Sequence, residues 1–448
     1  MALKRQIARL AKILVDSEGI SFDQAQAKLE GLTLEVVVGK DAVSPAAHAA
    51  ALTAVSVGRR SFVGGVKVVG EIDQPLNSAL PLSADTLGGA AAEIGASQFA
   101  GLASRTIHIG DDGSAQSISA WWNGWQAGTR FGAERSGTGD NPLSGIAAGG
   151  LAVGAAFEAA RGRDVDHKFR LNLWAADASD HTAPSFAEVF LPGALWMIGM
   201  GNLGQAYLWA LASLPYADPK SVSLVLQDHD RITEENWATS VLVREETYGV
   251  LKTKVSEQWA EAKGFDVRRV DRRLGAGDRL DDNDPRVALS GVDKISARKL
   301  MAGTGFDCIV DAGLGRTAND FDRYRVSVFD RARTIDGHFA AVGDEKEATS
   351  LPTDEAYRRL EEEIGRCGAA EIFGGSVAVP YVSAVASAVA VSRLIAVASG
   401  CECPASEVGR ISASTRKVSP IARIQARGMR HAGRPSIILR RSSGACSS

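Results

Sequence analysis

The chain has 448 residues, 45% of them hydrophobic and 23% charged, with a formal net charge of −3. That length holds two or more domains with ordinary apolar cores, and so even a charge balance excludes general nucleic-acid binding, which needs a basic surface. Five cysteines, with no signal peptide and no long uninterrupted apolar run, read as a chain of the reducing cytoplasm and exclude a membrane protein.

In chain order, residues 1–30 are expected to form two helices, the second opening at Ser21-Phe-Asp-Gln. The basic amphipathic stretch 4–15 mimics a transit peptide, but Asp16 and Glu18 follow at once and favour a surface helix. Ser44-Pro-Ala-Ala-His starts another helix, to about residue 57, with serine as cap and proline in the first turn. Residues 65–70 and 105–110 read as strands, with a small-residue helix at 82–95 between them. Asn141-Pro-Leu-Ser-Gly-Ile begins a long Ala/Gly-rich helix to about residue 161. Residues 169–174 read as a strand, and a polar stretch leads to a second domain near residue 190. Strands alternating with helices predict an α/β layer in both halves.

The second half opens on an apolar strand that runs into Gly199-Met-Gly201-Asn-Leu-Gly204, followed by a helix at 205–214. A second strand, 221–227, ends in Asp228. Such glycines let backbone N–H groups at a helix start approach phosphate oxygens, and an acid after the next strand hydrogen-bonds a ribose. These two features alone fit a hydride-transferring Rossmann domain equally well. The continuation Asp228-His-Asp230-Arg-Ile-Thr-Glu-Glu-Asn236, then Tyr248-Gly249-Val-Leu-Lys252, turns the reading away from it, because Asn236 and Lys252 have no part in hydride transfer.

This series resembles the ATP site of the ThiF/MoeB and ubiquitin-activating family. So does Cys367-Gly-Ala-Ala-Glu-Ile-Phe-Gly374 with the small-residue helix at 378–398 that follows it. The resemblance covers residues 191–400 and implies a Rossmann-like α/β adenylation domain. It implies ATP and Mg2+ as cofactors, with phosphates at Gly199, Gly201 and Gly204 and the ribose at Asp228. Asp230 becomes the second site acid, Asn236 and Lys252 act at the reacting phosphates, and Asp311 holds the metal. The implied reaction adenylates the C-terminal carboxylate of a ubiquitin-like protein, and a conjugating (E2-like) enzyme receives the acyl group. Cys367, read as a loop residue beside Arg366, is the candidate nucleophile for a thioester.

Two departures stand out: Thr239 occupies the position of the family's arginine and Leu314 that of its second metal-side aspartate. One cation and one metal ligand are missing from their usual places, with Arg244, Arg316 and the Arg59-Arg60 pair as candidate cations. Residues 1–190 read either as a degenerate, inactive adenylation half or as an unrelated α/β domain. The first choice rests on the stretch 82–95, which sits where a glycine loop belongs, and on the likeness of the helices at 141–161 and 378–398. Residues 401–448 read as a basic tail, or as strands that dock an acidic partner. The close pair Cys401 and Cys403 lacks the spacing of a zinc site. Such a pairing of halves is similar to activating enzymes of bacterial ubiquitin-like conjugation operons, some linked to antiviral defence. A sulfur-carrier adenylyltransferase and a non-catalytic scaffold are the alternatives, and a homodimer remains one way to complete the site.

Overall fold

The structure is a computed structural model that describes residues 4–110, 117–131, 139–164, 168–175, 183–340, 355–413, 416–424, 426 and 428–436. Two helices, α1 (Ala8–Glu18) and α2 (Phe22–Glu30), come first, and Ser21 and Gln24 close the capping box that starts α2. The first unit runs β1 (Thr33–Val38), α3 (Pro45–Gly58), β2 (Gly65–Gly70), α4 (Leu87–Glu93) and β3 (Arg105–Ile109). It continues with β4 (Ile118–Asn123), β5 (Gln126–Phe131), α5 (Pro142–Ala160) and β6 (Lys168–Asn172). Its strands lie in the order β2-β1-β3-β4-β5-β6, parallel as far as β4 and antiparallel beyond.

The second unit begins with β7 (Ala194–Ile198), α6 (Asn202–Ser213), β8 (Ser223–Gln227), α7 (Lys252–Lys263), β9 (Asp266–Val270) and β10 (Val287–Ser290). Next come α8 (Ile295–Leu300), β11 (Cys308–Leu314), β12 (Arg323–Phe329), α9 (Ile335–Phe339), α10 (Glu355–Gly374) and α11 (Pro380–Ala398). The short strands β13 (Glu402–Pro404), β14 (Ser406–Arg410), β15 (Arg416–Val418) and β16 (Ile421–Arg423) follow. The sheet order is β9-β8-β7-β10-β11-β12-β14-β15, parallel from β9 to β11 and antiparallel beyond. The parallel part has the strand order of a doubly wound nucleotide-binding sheet.

With β9 and β15 set aside, the two units match in order. In each, a long small-residue helix separates the last two strands of the comparison, α5 between β5 and β6, and α11 between β12 and β14. Both helices have 19 residues and a proline in the first turn. Both are apolar enough to cross a bilayer, yet 89% and 94% of their apolar windows are buried in the fold. They pack on each other between the sheets, with α3 and α6 beside them. Glycine makes the close approach possible: a Cβ at Gly145 or Gly149 would overlap the carbonyls of Ala46 and Ala50 on α3.

The helix read at 82–95 is shorter than expected. Thr86 caps it by accepting the Gly89 N–H, and the Glu93 carboxylate folds back onto the N–H groups of Ser83 and Ala84, which holds the preceding turn as a loop. The basic stretch after residue 400 belongs to the fold: β14 pairs with β12, β15 with β14 and β16 with β13, and His431 and Pro435 bridge to Pro192 and Tyr216. Residues 437–448, with Arg440 and Arg441, lie outside the described residues. A buried polar cluster joins the units here. Arg393 of α11 donates to the carbonyls of Leu173 and Trp174, just after β6, and to Glu407 of β14 at 2.8 Å. Tyr324 donates to the same carboxylate at 2.6 Å. Charges this deep are stable only when paired, so the cluster fixes how the two units meet.

Candidate functional site

A cleft of about 810 Å³ opens at the C-terminal ends of the second sheet's parallel strands. Gly199, at φ 87°, turns the chain out of β7, and Gly201 starts α6 with no side-chain cap. The first N–H groups of α6 are therefore left for something in the cleft. A Cβ at Gly204 would overlap the Gly199 carbonyl, whereas a Cβ at Gly201 would meet nothing within 4 Å. One glycine thus serves helix packing and the other keeps the cleft open. Asn202, at the mouth of α6, has both side-chain amide atoms buried with no partner among the described residues. A polar occupant of the cleft would satisfy them.

The polar residues read from the sequence meet here. Asp228 accepts the Met200 N–H at 2.6 Å with one oxygen and the Asp230 N–H at 2.9 Å with the other, so it ties the glycine loop to the turn after β8. Lys252 opens α7, 13% exposed, and its Nζ lies 2.8 Å from Asp230. Burial pushes the Asp230 carboxyl up, but the hydrogen bond and charge of Lys252, with His229 and Arg273 nearby, hold it below the usual range. Lys254 turns away to pair with Glu257 at 2.6 Å. Asn236 accepts the Thr233 N–H at 3.0 Å through Oδ1, which leaves its NH2 group as the donor for the cleft it lines.

The loop that bears Asn236 and Thr239 is braced from both units. Gln205 of α6 accepts the Leu242 N–H at 2.9 Å. Arg60, just after α3, donates to the carbonyls of Trp237, Val241 and Val243. This corrects one expectation: Arg60 is buried as a brace, Arg59 donates to the Ile94 carbonyl and Arg244 to that of Glu93. Of the cations proposed from sequence, Arg316 lines the cleft, and the sequence reading missed Arg9, Arg298 and Arg325, which line it too. Arg9 comes from α1, so the chain's own first part reaches the second unit's cleft.

Asp311 needs a second correction. Its carboxylate is 0% exposed. One oxygen accepts from Ser290 at 2.8 Å and Arg298 at 3.0 Å, and the other from Arg325 at 2.7 Å. A magnesium ion needs open oxygens in near-octahedral array, so these residues do not fit the metal that the resemblance placed on Asp311. Cys367 falls in α10, two residues beyond a break at Gly365 (φ 76°, ψ 162°), instead of on a loop. Its side chain lies outside the described ones, but the chain runs on from α10 into the cleft wall at Ser376 and Ala378.

Fold and site together define an E1-like α/β protein with two related units, whose open glycine-loop cleft is in the second. Residues 33–171 match the family described as the BilD N-terminal domain, and residues 191–401 that described as the BilD C-terminal domain. The bacterial E1-like protein BilD of Collimonas sp. (strain OK412) is 33% identical over 416 residues, which is 86% of this chain and 87% of the relative. The chain belongs to this family of bacterial E1-like proteins. Among solved structures, E. coli MccB with ATP matches at a TM-score of 0.31 and 13% identity, over 52% of this chain and 64% of that one. MccB with MccA-N7isoASN matches at 0.32 and 13%, over the same shares of 52% and 64%. The chain thus spans less than two thirds of the length of those solved chains.

Proposed function

We propose that this chain uses ATP to adenylate the C-terminal carboxylate of a ubiquitin-like protein. The observation that carries the reading is the meeting of an uncapped glycine loop, the Lys252–Asp230 pair and Asn236 in one cleft of an E1-like chain. A carboxylate oxygen bonds to the α-phosphorus as pyrophosphate leaves, giving an acyl adenylate. Neither reactant is strongly nucleophilic, so the protein works by positioning and by neutralising phosphate charge. The loop N–H groups and Lys252 supply positive charge, and Asn236 donates a hydrogen bond. Magnesium in this proposal belongs to the nucleotide, not to Asp311.

Cys367 then attacks the acyl carbon, AMP leaves, and the thioester passes to a conjugating enzyme. Burial pushes the thiols of Cys308, Cys401 and Cys403 up, away from the thiolate this step needs. Because Arg9 reaches the cleft from the chain's own α1, one chain is taken to suffice, without a homodimer. A cytoplasmic place in an antiviral conjugation system belongs to the same proposal. Incubation with ATP and the ubiquitin-like protein should give a covalent adduct that added thiols cleave by taking over the acyl group, and Cys367→Ser should lose this thiol-labile adduct while it keeps pyrophosphate exchange. An adduct that persists in the variant assigns the thioester to another cysteine. Thr239 and Leu314, which line the cleft in place of a cation and an acid, favour a second reading, a scaffold that binds nucleotide without turnover.

A further inference from the structure

The cleft wall formed by α8, β11 and β12 carries an arrangement that the family pattern does not supply. Arg298 of α8 and Arg325 of β12 share the buried Asp311 carboxylate, at 3.0 and 2.7 Å. Phe339 of α9 lies against both, with guanidinium carbons 5.8 and 4.9 Å from its ring centre. Arg298 is further held by the carbonyls of Val292 and Asp293, at 2.6 and 3.3 Å. Arg325 faces Gly313 across the sheet, and a Cβ on that residue would come within 3.4 Å of both guanidinium groups. One anion therefore holds two cations. Arg325 keeps donors to spare, since among the described residues its hydrogen-bond partners are Asp311 and, at a weak 3.4 Å, His338. Both arginines line the cleft, as do Thr239 and Leu314. In register, Asp311 is level with Ser290, and Ser290 with Ile198, the residue before the glycine loop.

Resting on the reading of this cleft as an ATP site, we infer that Arg298 and Arg325 neutralise the triphosphate in place of the missing arginine and metal-side acid. Asp311 is their positioning residue. The planar fork of a guanidinium suits phosphate oxygens. A pair fixed beforehand by a buried carboxylate and an aromatic face spends little conformational entropy when the ligand arrives. With the site's own carboxylate committed to arginine, nucleotide affinity depends on the guanidinium pair more than on magnesium.

Calorimetric titration of the full chain with ATP, in EDTA and in magnesium, tests this apart from turnover. The wild-type chain should bind ATP in EDTA within about threefold of its affinity in magnesium. Arg325→Gln should weaken ATP about tenfold or more and leave adenosine binding unchanged, which also reports an intact fold. Arg325→Lys should recover part of the loss. Asp311→Asn should weaken ATP without moving the magnesium concentration at half-effect. ATP binding that appears only with magnesium overturns the inference. So does an Asp311→Asn chain that needs more magnesium while Arg325→Gln binds ATP like the wild type. A chain that follows the expected pattern yet never exchanges pyrophosphate removes the adenylation reading and leaves this one standing.

Discussion

α3 and α6 hold equivalent places in the two units, each leaving the strand at which the sheet's order reverses, and their first turns differ in chemistry. Ser44 caps α3 by accepting the Ala47 N–H at 3.2 Å, and Pro45 has no N–H to offer. Gly201 leaves α6 uncapped beside the open cleft. The first unit satisfies its own helix start, and the second leaves its donors for a ligand. An anion site is thus closed by a serine and a proline as surely as by loss of a glycine loop. The first half of the chain also supports the second unit, through Arg9 of α1 in the cleft wall, Arg60 under the Asn236 loop, and helices packed on α6 and α11.

The sharpest break in the comparison is Lys252→Ala. It removes a cation from the open unit and should cut pyrophosphate exchange by about 10²–10³-fold without changing the thermal midpoint. Ser44→Ala, at the sealed end, should leave exchange unchanged and cost about 1 kcal/mol of stability by denaturant titration. Equal effects of the two on exchange would erase the distinction between the units.

Gly149→Val tests the shared helical layer. Overlap with α3 should destabilise the chain by about 1–3 kcal/mol, read as a lower denaturation midpoint. Gly201→Val should fold normally, because a Cβ there meets no protein atom within 4 Å, yet weaken ATP about tenfold by filling the ligand's space. Gly204→Val should instead damage the fold, since its side chain would overlap the Gly199 carbonyl. Calorimetry and thermal melting of the two side by side separate cleft from packing.

A pH-dependent effect concerns Lys263 of α7, which donates to the carbonyls of Ala79 in the first unit and Leu214 in the second. Burial pushes its ammonium down from 10.5 to about 8. A folded value below the unfolded one means that this group's contribution is complete above pH 10.5 and is lost as pH falls through 8. Stability should therefore rise by about 3 kcal/mol between those limits, and Lys263→Met should flatten that part of the profile.

Features that depend on local spacing were legible in the sequence. The glycine loop, Asp228, Asn236 and Lys252 sit in one cleft, and the proline-started helices at 142 and 380 are close to their expected bounds. Whether the chain after residue 400 forms a tail or strands stayed open in the sequence, because a crowd of arginines dominates the composition while pairing with β12 is long-range. The hairpin of β4 and β5 was missed as well. Its residues at 118–122 are buried on both faces save Trp121, so the period-2 signal is absent. Arg298 and Arg325 were illegible for a related reason: they meet Asp311 only through the fold. A buried strand aspartate does require a partner, but nothing in the spacing says which cation provides it.

The central claim is that the second unit activates a carboxylate, and its most direct measurement is ATP–pyrophosphate exchange with intact and tail-deleted ubiquitin-like protein. The account predicts exchange that requires the intact C-terminal tail and disappears when the tail is removed. A folded chain that binds ATP but exchanges no pyrophosphate with either protein would contradict it.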